Sequence, residues 1–586
     1  MPYKANKIKR IWQLLFVLIW CAQMLTAVYF CYQKKGFHED EYYTYYSTAR
    51  TYGLNIENNA WMEHDAYFNE FVVLEGERFQ YGLVKQVQSW DVHPPVYYWI
   101  FHTIASLFPG KFSKWYGLVL NLAAFGISMV LLWILSLKVT KYNEKLSLLV
   151  CLFYGFTPVV ISSVVFIRMY ALLTVFVLMC AVLHVRVIED YTGSYVGLSD
   201  KLSTGSSDGS IKLSVWRFLL PLAVVTYFGF LTQYYYFIFL FFIGFAFCVY
   251  MLWKDRNLWN CIRYAVSLAV AFGLAYVTYP SCLGQMFRGQ RGAQATGNFF
   301  DVSNTLMRLE FFYELMDEYV FGKLLAVLVL VVVLLGLYVW FETRVIKYKN
   351  IRNNDNGEKK LSDHIGIRYD EYFILLFAVV GYFFVVSKTA LLLGETSIRY
   401  QMPIYGMVVL LIFAAIDGLV RGCVRYSGKG SAEWIRRINY MNGRIYNVII
   451  GLAALVAVII NIIGFVGGRV VFLYPEDEER IAFAKGQQLN KTPVVYIYDE
   501  NQSWCVWDVA DELFEYDRVY FMGQGGNELI DDVDVVGSDA VVVYLNNTAQ
   551  AEEELGRIMS GNANLSDYEL KYQEKYCDVY YLYGRD

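Results

Sequence analysis

The stretch FHEDEYYTYYSTAR, from Phe37 to Arg50, directly follows an apolar run long enough to cross a membrane. It places three carboxylates side by side, Glu39, Asp40 and Glu41. Adjacent carboxylates repel one another, and a nearby membrane lowers the local dielectric constant, so ionising all three is costly. The three acids are therefore either a solvated cap on a helix that leaves the membrane or a group balanced by positive charge from elsewhere in the chain.

The composition of the whole chain indicates its class. Of the 586 residues, 57% are hydrophobic and only 18% are charged, whereas a soluble domain has roughly 45–50% apolar and about 25% charged residues. The apolar residues form long blocks of about 20, the length that a helix needs to cross hydrocarbon. We therefore predict a polytopic membrane protein. The net charge of −4, without a basic patch interleaved with aromatic residues, gives no reason to expect a nucleic-acid partner.

The distribution of Lys and Arg predicts the orientation of the chain. Cytoplasmic loops carry the excess of basic residues, and the most basic segments here are KYKNIRNNDNGEKK and EWIRRINYMNGR. This places the N-terminus in the cytoplasm and residues 31–114, 283–320 and 468–586 outside, so the three acids are extracytoplasmic. About eleven spans are expected, near residues 11–30, 115–137, 146–165, 168–188, 216–232, 234–253, 263–282, 321–341, 371–393, 401–420 and 446–467.

Two domains are predicted: an α-helical polytopic membrane domain, residues 1–470, and a small extracytoplasmic α/β domain, residues 471–586. Residues 31–114 form an unusually long first outside loop, and long loops tend to be functional. In this loop HPPVYYWIFHTIASLFPG predicts an amphipathic helix that starts at Pro94 and Pro95. In the second domain, helical stretches alternate with four runs typical of strands, PVVYIYD, RVYFM, AVVVYL and CDVYYLYG.

Polar and ionisable residues gather at the outside ends of separate spans. Such groups are expensive at the membrane boundary and are usually paired or functional. Because the outer turns lie at one level of the membrane, we expect these side chains to share a site. In chain order they are Asp40, Glu41, Asp91, His93, Arg168, Tyr170, Gln233, Arg288, Arg291, Arg399 and Tyr400.

The residue types at these turns point to phosphate and to proton transfer. Guanidinium groups stay charged and bind phosphate oxygens in pairs. A neighbouring aspartate suits a general base that takes a proton from a hydroxyl group. A lipid-linked phosphosugar, with an anionic headgroup and an apolar tail, would fit both requirements.

Five motifs in this order, HEDEYYTYYSTAR, DVHPPVYYW, FIRMYALL, TQYYY and SIRYQMPIY, resemble those of the GT-C membrane glycosyltransferases. The likeness is greatest to the glycosyltransferase family 39 group, which contains protein O-mannosyltransferases and the lipid A aminoarabinose transferase. It covers roughly residues 10–420.

The resemblance implies an inverting transfer of a sugar from a polyprenyl-phosphate donor to a lipid, protein or glycan acceptor. The catalytic carboxylate of the family maps onto Asp40, with Glu41 beside it. Arg168 and Arg399 match positions near the donor phosphate. The remaining outer-face residues are expected to contact substrate: His93, Tyr170, Gln233, Arg288, Arg291 and Tyr400.

A bound metal is left open, and no other cofactor is assigned. Aminoarabinose transferases have Glu-Lys before the paired prolines, where this chain has Val92 and His93, and their metal site uses a histidine at the turn that here carries Gln233. Asp91 and His93, together with Asp40 or Glu41, could still hold a divalent metal.

Other interpretations of the same residues stand beside this one. Asp40 and Glu41 are also compatible with a solvated helix cap, and Arg168 and Arg399 with side chains that extend to the membrane surface. At the level of function, the alternatives are a lipid or sugar transporter or flippase and a non-catalytic scaffold for envelope assembly. The absence of repeated halves and the concentration of charge at one face argue against the transporter, whereas Gln233, in place of the expected histidine, keeps the scaffold open.

The expected location is a bacterial plasma membrane, because a membrane domain followed by an α/β tail looks bacterial. The sequence specifies neither the sugar nor the acceptor. It also leaves open whether Cys505 and Cys577 form a disulfide in the exported tail.

Overall fold

The structure is a computed structural model that describes residues 2–49, 56–192, 203–205, 211–352, 369–427, 432–525 and 532–584. Part of the basic segment KYKNIRNNDNGEKK lies outside these residues. The helices are α1 (Pro2–Gln33), α2 (Glu39–Ala49), α3 (His64–Phe68), α4 (Tyr81–Trp90), α5 (Val96–Ala105), α6 (Trp115–Val139), α7 (Glu144–Tyr154), α8 (Pro158–Val165), α9 (Tyr170–Thr192), α10 (Leu220–Thr232), α11 (Tyr235–Asp255), α12 (Leu258–Thr278), α13 (Ser281–Phe287), α14 (Gln290–Phe300), α15 (Thr305–Tyr319), α16 (Leu325–Arg352), α17 (Asp370–Thr389), α18 (Met402–Ser427), α19 (Ala432–Val466), α20 (Asp477–Leu489), α21 (Ala510–Leu513), α22 (Val533–Val536) and α23 (Ala551–Gly561).

The strands are β1 (Ala60–Glu63), β2 (Ser203–Gly205), β3 (Ile211–Leu213), β4 (Val494–Tyr498), β5 (Arg518–Gly523), β6 (Ala540–Asn546), β7 (Asp567–Gln573) and β8 (Cys577–Tyr583). Strands β2 and β3 form an antiparallel hairpin between two spans. All the other strands belong to one six-stranded sheet.

The membrane domain has the predicted class. Among the described residues, nine helical segments are long and apolar enough to cross a membrane; they lie in α1, α6, α9, α10 with the π-helical turn Val215–Leu219 that precedes it, α11, α12, α17, α18 and α19. The pair α7 and α8 forms a tenth candidate, bent by 59° where Pro158 begins the second helix and cannot continue the hydrogen bonding of the first. Helix α16 carries a shorter apolar segment, Leu325–Phe341. The candidates match ten of the eleven predicted spans in order and position, and the shorter segment in α16 lies where the span near residues 321–341 was predicted.

The described part of residues 31–114 folds largely into short helices that follow the first span. The helix predicted after the paired prolines is present as α5, with Pro95 as its N-cap residue. Its buried face includes Tyr97, Tyr98 and Phe101, so one side of the helix packs against protein. Strand β1 lies in the same loop, and the sequence analysis did not predict it.

The tail is the expected α/β unit. Its sheet has the order β1-β5-β4-β6-β8-β7, with β4 parallel to both β5 and β6 and antiparallel pairs at the two edges. All five residues of β4, VVYIY, are buried, as expected for a central strand covered on both faces. On one face Val495 and Ile497 pack with Leu555 and Ile558 of α23. Strand β7 and the edge strand β1 were not predicted from the sequence.

The tail and the first loop pack as one body. Besides the pairing of β1 with β5, the Tyr67 hydroxyl donates to the carbonyl oxygens of Leu513 and Tyr516. The backbone of Gly36 lies against the Asp477 carboxylate so closely that a Cβ atom there would overlap it, 1.5 Å from Oδ2. Cys505 and Cys577 are both buried free thiols. The tail thus packs against the membrane domain next to the three acids.

Candidate active site

The three acids form the first turn of α2. The Asp40 amide N–H donates to His38 Nδ1 at 3.1 Å, and the His38 amide donates to Glu41 Oε2 at 2.7 Å. This is the reciprocal arrangement of a capping box, with histidine in the place usually taken by Ser or Thr. The positive end of the helix also stabilises carboxylates in its first turn. Burial lowers the pKa of His38 to about 3, so its imidazole is neutral and can accept this bond.

Each acid of this turn faces a different partner. Glu41 is fully buried; its Oε2 lies 2.8 Å from the Lys34 ammonium, and its Oε1 accepts the Ile167 amide at 2.6 Å. Glu39 Oε2 accepts from Lys575 at 2.7 Å and from the Tyr576 hydroxyl at 2.5 Å. The Asp40 side chain is a quarter exposed and faces two arginines. The repulsion expected from the sequence is therefore relieved by divergence of the three side chains.

Arg168 stands at the turn between α8 and α9, immediately after the residue whose amide Glu41 binds. Its Nη1 donates to the Asp40 carbonyl at 3.0 Å and to Thr44 Oγ1 at 3.2 Å. Its Nη2 lies 3.9 Å from Asp40 Oδ1. Only 3% of Arg168 is exposed, so helix α2 and the α8–α9 turn fix this guanidinium beside Asp40.

Arg399 lies in the short 3₁₀ helix Thr396–Tyr400 that precedes α18. Its Nη1 is 2.8 Å from Asp40 Oδ2, its Nη2 donates to the Tyr400 hydroxyl at 3.2 Å, and its guanidinium lies over the Phe166 ring. Burial alone raises the pKa of Asp40, but the charges of Arg399 and Arg168 outweigh it and hold this pKa well below its usual range. Asp40 is therefore ionised at neutral pH.

The two guanidinium groups keep unused donors. Among the described residues, the buried Nε atoms of Arg168 and Arg399 have no hydrogen-bond partner. A buried donor without a partner costs free energy. An anion with several oxygens could satisfy donors of both arginines at once, as phosphate commonly does.

Asp91 and His93 join the same cluster. His93 Nδ1 is 3.0 Å from Asp91 Oδ2, and Arg168 Nη2 lies 3.4 Å from Nδ1 and 3.2 Å from Nε2 of the same ring. The Arg168 guanidinium thus lies against the imidazole that would ligate a metal, and no group of three or more His, Cys, Asp and Glu suited to a metal occurs in the described ranges. The metal stays a prediction from the sequence.

Of the predicted residues Tyr170, Tyr400 and Gln233, the two tyrosines border the cluster. The rings of Tyr170 and Tyr400 are in contact, with centroids 5.9 Å apart, and the Tyr400 hydroxyl accepts from Arg399. Gln233 is buried, and its Oε1 accepts the Tyr234 amide at the start of α11. The part of the chain that the structure describes shows no hydrogen bond between Gln233 and the Asp40 cluster.

The structure does not bring Arg288 and Arg291 to the cluster. Arg288 ends α13, and both side chains are exposed. Arg291 donates to Gln294 at 3.3 Å within α14. Among the ion pairs and hydrogen bonds of the described residues, none joins either arginine to Asp40.

Several residues that build the site carried no signal in the sequence analysis. Lys34 balances Glu41, and His38 caps α2. Gln285 holds the segment of Asp91 through hydrogen bonds from its Nε2 to the Gln88 and Asp91 carbonyls at 2.7 and 2.6 Å. The run EDE followed by a helical stretch indicates a possible helix start, which would have pointed to His38; nothing comparable marks Lys34 or Gln285.

No family model matches the chain, and no curated protein matches it. Among solved structures, the chain is similar to ArnT from Cupriavidus metallidurans bound to undecaprenyl phosphate, with 12% identity, a TM-score of 0.47, and coverage of 97% of this chain and 98% of that one. ArnT from the same organism in the apo state gives 11% identity, a TM-score of 0.41, and coverage of 99% and 98%. A likeness this remote assigns no substrate, activity or residue role.

Proposed function

We propose that the chain is an integral-membrane inverting glycosyltransferase, which moves a sugar from a polyprenyl-phosphate donor to an acceptor hydroxyl on the extracytoplasmic face. The observation that carries this proposal is the placement of one partly exposed carboxylate, Asp40, against two buried guanidinium groups that retain unused donors. This combination provides a base and an anion site within a few ångströms of each other. The donor class is the one that the sequence motifs imply by resemblance.

The arginines bind the donor phosphate in this proposal. Arg168 and Arg399 come from opposite sides of Asp40 and are held by protein contacts that do not involve substrate. A bound phosphate competes with Asp40 for their hydrogen bonds. As Asp40 loses part of this positive field, its pKa rises, and it becomes a better base once the donor is in place.

The transfer itself is a single displacement. The acceptor hydroxyl gives its proton to a carboxylate oxygen of Asp40, and the acceptor oxygen forms a bond to the anomeric carbon. The bond from that carbon to the phosphate oxygen breaks, and its electron pair leaves with the polyprenyl phosphate. Arg168 and Arg399 stabilise the charge that develops on this leaving group. Attack opposite the leaving phosphate inverts the anomeric configuration.

Glu41 acts as a positioning residue in this scheme. Its side chain is inaccessible, and its oxygens are engaged by Lys34 and by the Ile167 amide. Through Ile167 it holds the backbone that carries Arg168.

The orientation in the membrane is part of the same proposal. The basic segments would lie in the cytoplasm of a bacterial cell, and α2, the arginines and the tail would lie outside the plasma membrane. A polyprenyl-linked donor would then reach the site from the outer leaflet.

The test is sugar transfer in purified membranes that receive labelled polyprenyl-phosphate hexoses and pentoses. Wild type is compared with Asp40→Asn at matched expression and matched melting temperature. Asp65→Asn is the control, because Asp65 is a largely exposed aspartate in the same loop, with 88% of its side chain accessible. We expect a new labelled product with wild type and Asp65→Asn, and its loss with Asp40→Asn.

The other outcomes separate the alternatives. Equal transfer by all three proteins would show that Asp40 is not the base. Label that crosses the membrane without entering a new covalent product would indicate a transporter. Failure of wild type with every donor would reject the donor class and favour the scaffold.

A further inference from the structure

A cleft opens beside the candidate site, between α2 and the tail. Its cavity volume is about 160 Å³. Six residues define its two walls: Glu39, Tyr43 and Tyr46 from α2, and Trp504, Asp508 and Tyr576 from the tail. Residues 39, 43 and 46 recur at helical spacing and therefore share one face of α2. Asp40 is the next residue after Glu39 and projects about 100° around the helix from it, so the cleft and the arginines lie against neighbouring faces of α2.

The walls of the cleft are aromatic. Trp504 is 42% exposed and contacts the Tyr576 ring edge-on, with the ring centroids 5.2 Å apart. Trp507 and Phe71 are buried at the back of the cleft. Flat rings of this kind offer contact area to a ligand at little cost in conformational entropy, because each has only two side-chain torsions.

The charge in the cleft is negative. The residues that line it include two carboxylates and no Lys or Arg. Glu39 is balanced by Lys575, but in the described part of the chain Asp508 forms no ion pair. Burial and, to a smaller extent, the charge of Glu39 raise the pKa of Asp508 to about 7. The nearby charges of Lys575 and Arg480 offset part of this rise, and an ionised Asp508 can accept hydrogen bonds from a ligand.

Tyr43 links the cleft to the site. It lines the cleft, and burial followed by the carboxylates of Glu39, Asp40 and Asp91 raises the pKa of its hydroxyl. The negative charges of a cleft residue, Glu39, and of two residues of the site, Asp40 and Asp91, therefore all act on this hydroxyl group. A ligand in the cleft would lie next to the proposed base.

We propose that this cleft binds the acceptor and that the acceptor is a carbohydrate without negative charge. The inference rests on the proposed function for its link to catalysis, but the binding site stands on the cleft itself. A pyranose ring has apolar C–H faces that pack on aromatic rings and hydroxyl groups that donate to carboxylates. A phosphorylated or carboxylated acceptor would find no Lys or Arg among the lining residues, and an ionised Asp508 would repel it.

The binding test uses the purified full-length protein in detergent on an array of neutral, amino-sugar-containing, phosphorylated and uronic acid glycans. We expect binding to neutral or amino-sugar glycans, weakened about tenfold or more by Trp504→Ala and retained by Trp504→Phe, which keeps an aromatic ring. Leu570→Ala is the matched control, since Leu570 is 43% exposed on β7 of the same sheet. Loss with Trp504→Ala and retention with Trp504→Phe separates ring stacking from a general structural defect.

The results that would overturn the inference are binding only to anionic glycans, binding unaffected by Trp504→Ala, or binding to basic peptides without binding to any neutral glycan. Failure of the proposed function is read separately, from the turnover of labelled donor by wild type and Asp40→Asn. Glycan binding without donor turnover would leave a carbohydrate-binding cleft on a protein that is not a transferase.

Discussion

At the scale of single residues, Arg399 is the group whose removal most directly tests the anion site. It is 3% exposed and pairs with Asp40, and its Nε has no hydrogen-bond partner among the residues that the structure describes. We expect Arg399→Ala to reduce kcat/KM for the lipid-linked donor by about 10²–10³-fold, the usual cost of losing one donor that stabilises developing negative charge. Arg399→Lys should recover only part of this loss, because an ammonium lacks the two-pronged geometry of a guanidinium.

The measurement is steady-state transfer over a range of donor concentrations, with Lys323→Ala as the control. Lys323 is a cation whose side chain is 65% exposed, between α15 and α16. An Arg399→Ala protein with unchanged kcat/KM would show that the phosphate does not bind at this guanidinium.

The pair of Lys34 and Glu41 gives a prediction about stability. Both side chains are fully buried and their charged atoms are 2.8 Å apart. Removing one partner from a buried ion pair costs roughly 3–5 kcal/mol, because the other charge stays buried without compensation. We expect Glu41→Gln and Lys34→Met each to lower the melting temperature strongly. The double variant should be less destabilised than the sum of the two single variants.

Thermal unfolding of the four proteins in detergent completes this double-mutant cycle. Additive losses would contradict a direct coupling of the two charges. If Glu41 were itself the catalytic base, Glu41→Gln would instead abolish transfer while the melting temperature stayed that of wild type.

Only those residues of the cluster could be predicted that combine a reactive or charged side chain with a position at the end of a span. Asp40, Arg168 and Arg399 follow or precede different spans, so the prediction that these turns share one level of the membrane was enough to predict their proximity. Lys34 and Gln285 act through packing, which the sequence pattern does not encode: Gln285 binds the Asp91 carbonyl from 194 positions away along the chain. Arg288 and Arg291 follow the same outer-turn pattern as the cluster, yet α13 and α14 carry them to the surface.

At the scale of elements, the spans and central strands were predictable, and the short pieces were not. A run of about 20 apolar residues or a sequence such as AVVVYL has few alternative structures. Helix α2 is different: EDEYYTYYSTA has no clear apolar repeat, and its N-cap is a histidine rather than Ser, Thr, Asp or Asn. Strand β1 has four residues, and it is a strand because β5 offers a free edge far away in the sequence.

The pairing of β1 with β5 can be tested by cross-linking. Glu63 and Arg518 are register partners and both are exposed. Partners in an antiparallel pair have Cα atoms about 4.5–5.5 Å apart, within the range of a disulfide. We expect Glu63→Cys with Arg518→Cys to form a disulfide under mild oxidation, detected by a shift in gel mobility that a reductant reverses.

The control pair is Glu63→Cys with Glu569→Cys. Glu569 lies on β7 at the opposite edge of the sheet, five strand steps away, which corresponds to roughly 24 Å. Cross-linking of the control pair, or none in the test pair, would contradict the register and separate the first loop from the tail.

At the scale of the whole molecule, the tail packs against the membrane domain, and many of the residues at this contact are carboxylic acids. Tyr42 of α2 accepts the Asp511 amide, Lys35 pairs with Glu478, and Asp477 lies against Gly36. This contact could not be predicted from the sequence, because no sequence pattern in the tail or in the membrane domain identifies the surface that it packs against. Because the contact buries carboxyl groups and shifts their pKa values, the stability of the folded protein depends on pH.

Burial is the main reason that the pKa values of Asp477, Asp508 and Asp511 rise to about 7; the pKa values of Glu512 and Glu574 rise in the same direction. Unfolded carboxyl groups titrate near 4. Between these two values the folded protein binds more protons than the unfolded chain, so its stability falls as the pH rises toward and through 7. His38 has the opposite sign, since its folded pKa is about 3, but its effect is confined to pH below about 6.5.

We therefore expect the tail to unfold at a lower temperature at pH 8 than at pH 6.5, by about 5 °C for a domain of this size. Trp504 and Trp507 line the cleft between the tail and α2, so a change in their fluorescence reports this transition. Asp508→Asn and Asp511→Asn should reduce the difference between the two pH values, because an amide has no proton to lose, whereas the exposed control Asp65→Asn should leave the difference unchanged. A melting temperature that rises from pH 6.5 to pH 8 would mean that these carboxyl groups are ionised in the folded protein. The tail would then be held by charge pairing rather than by protonated acids.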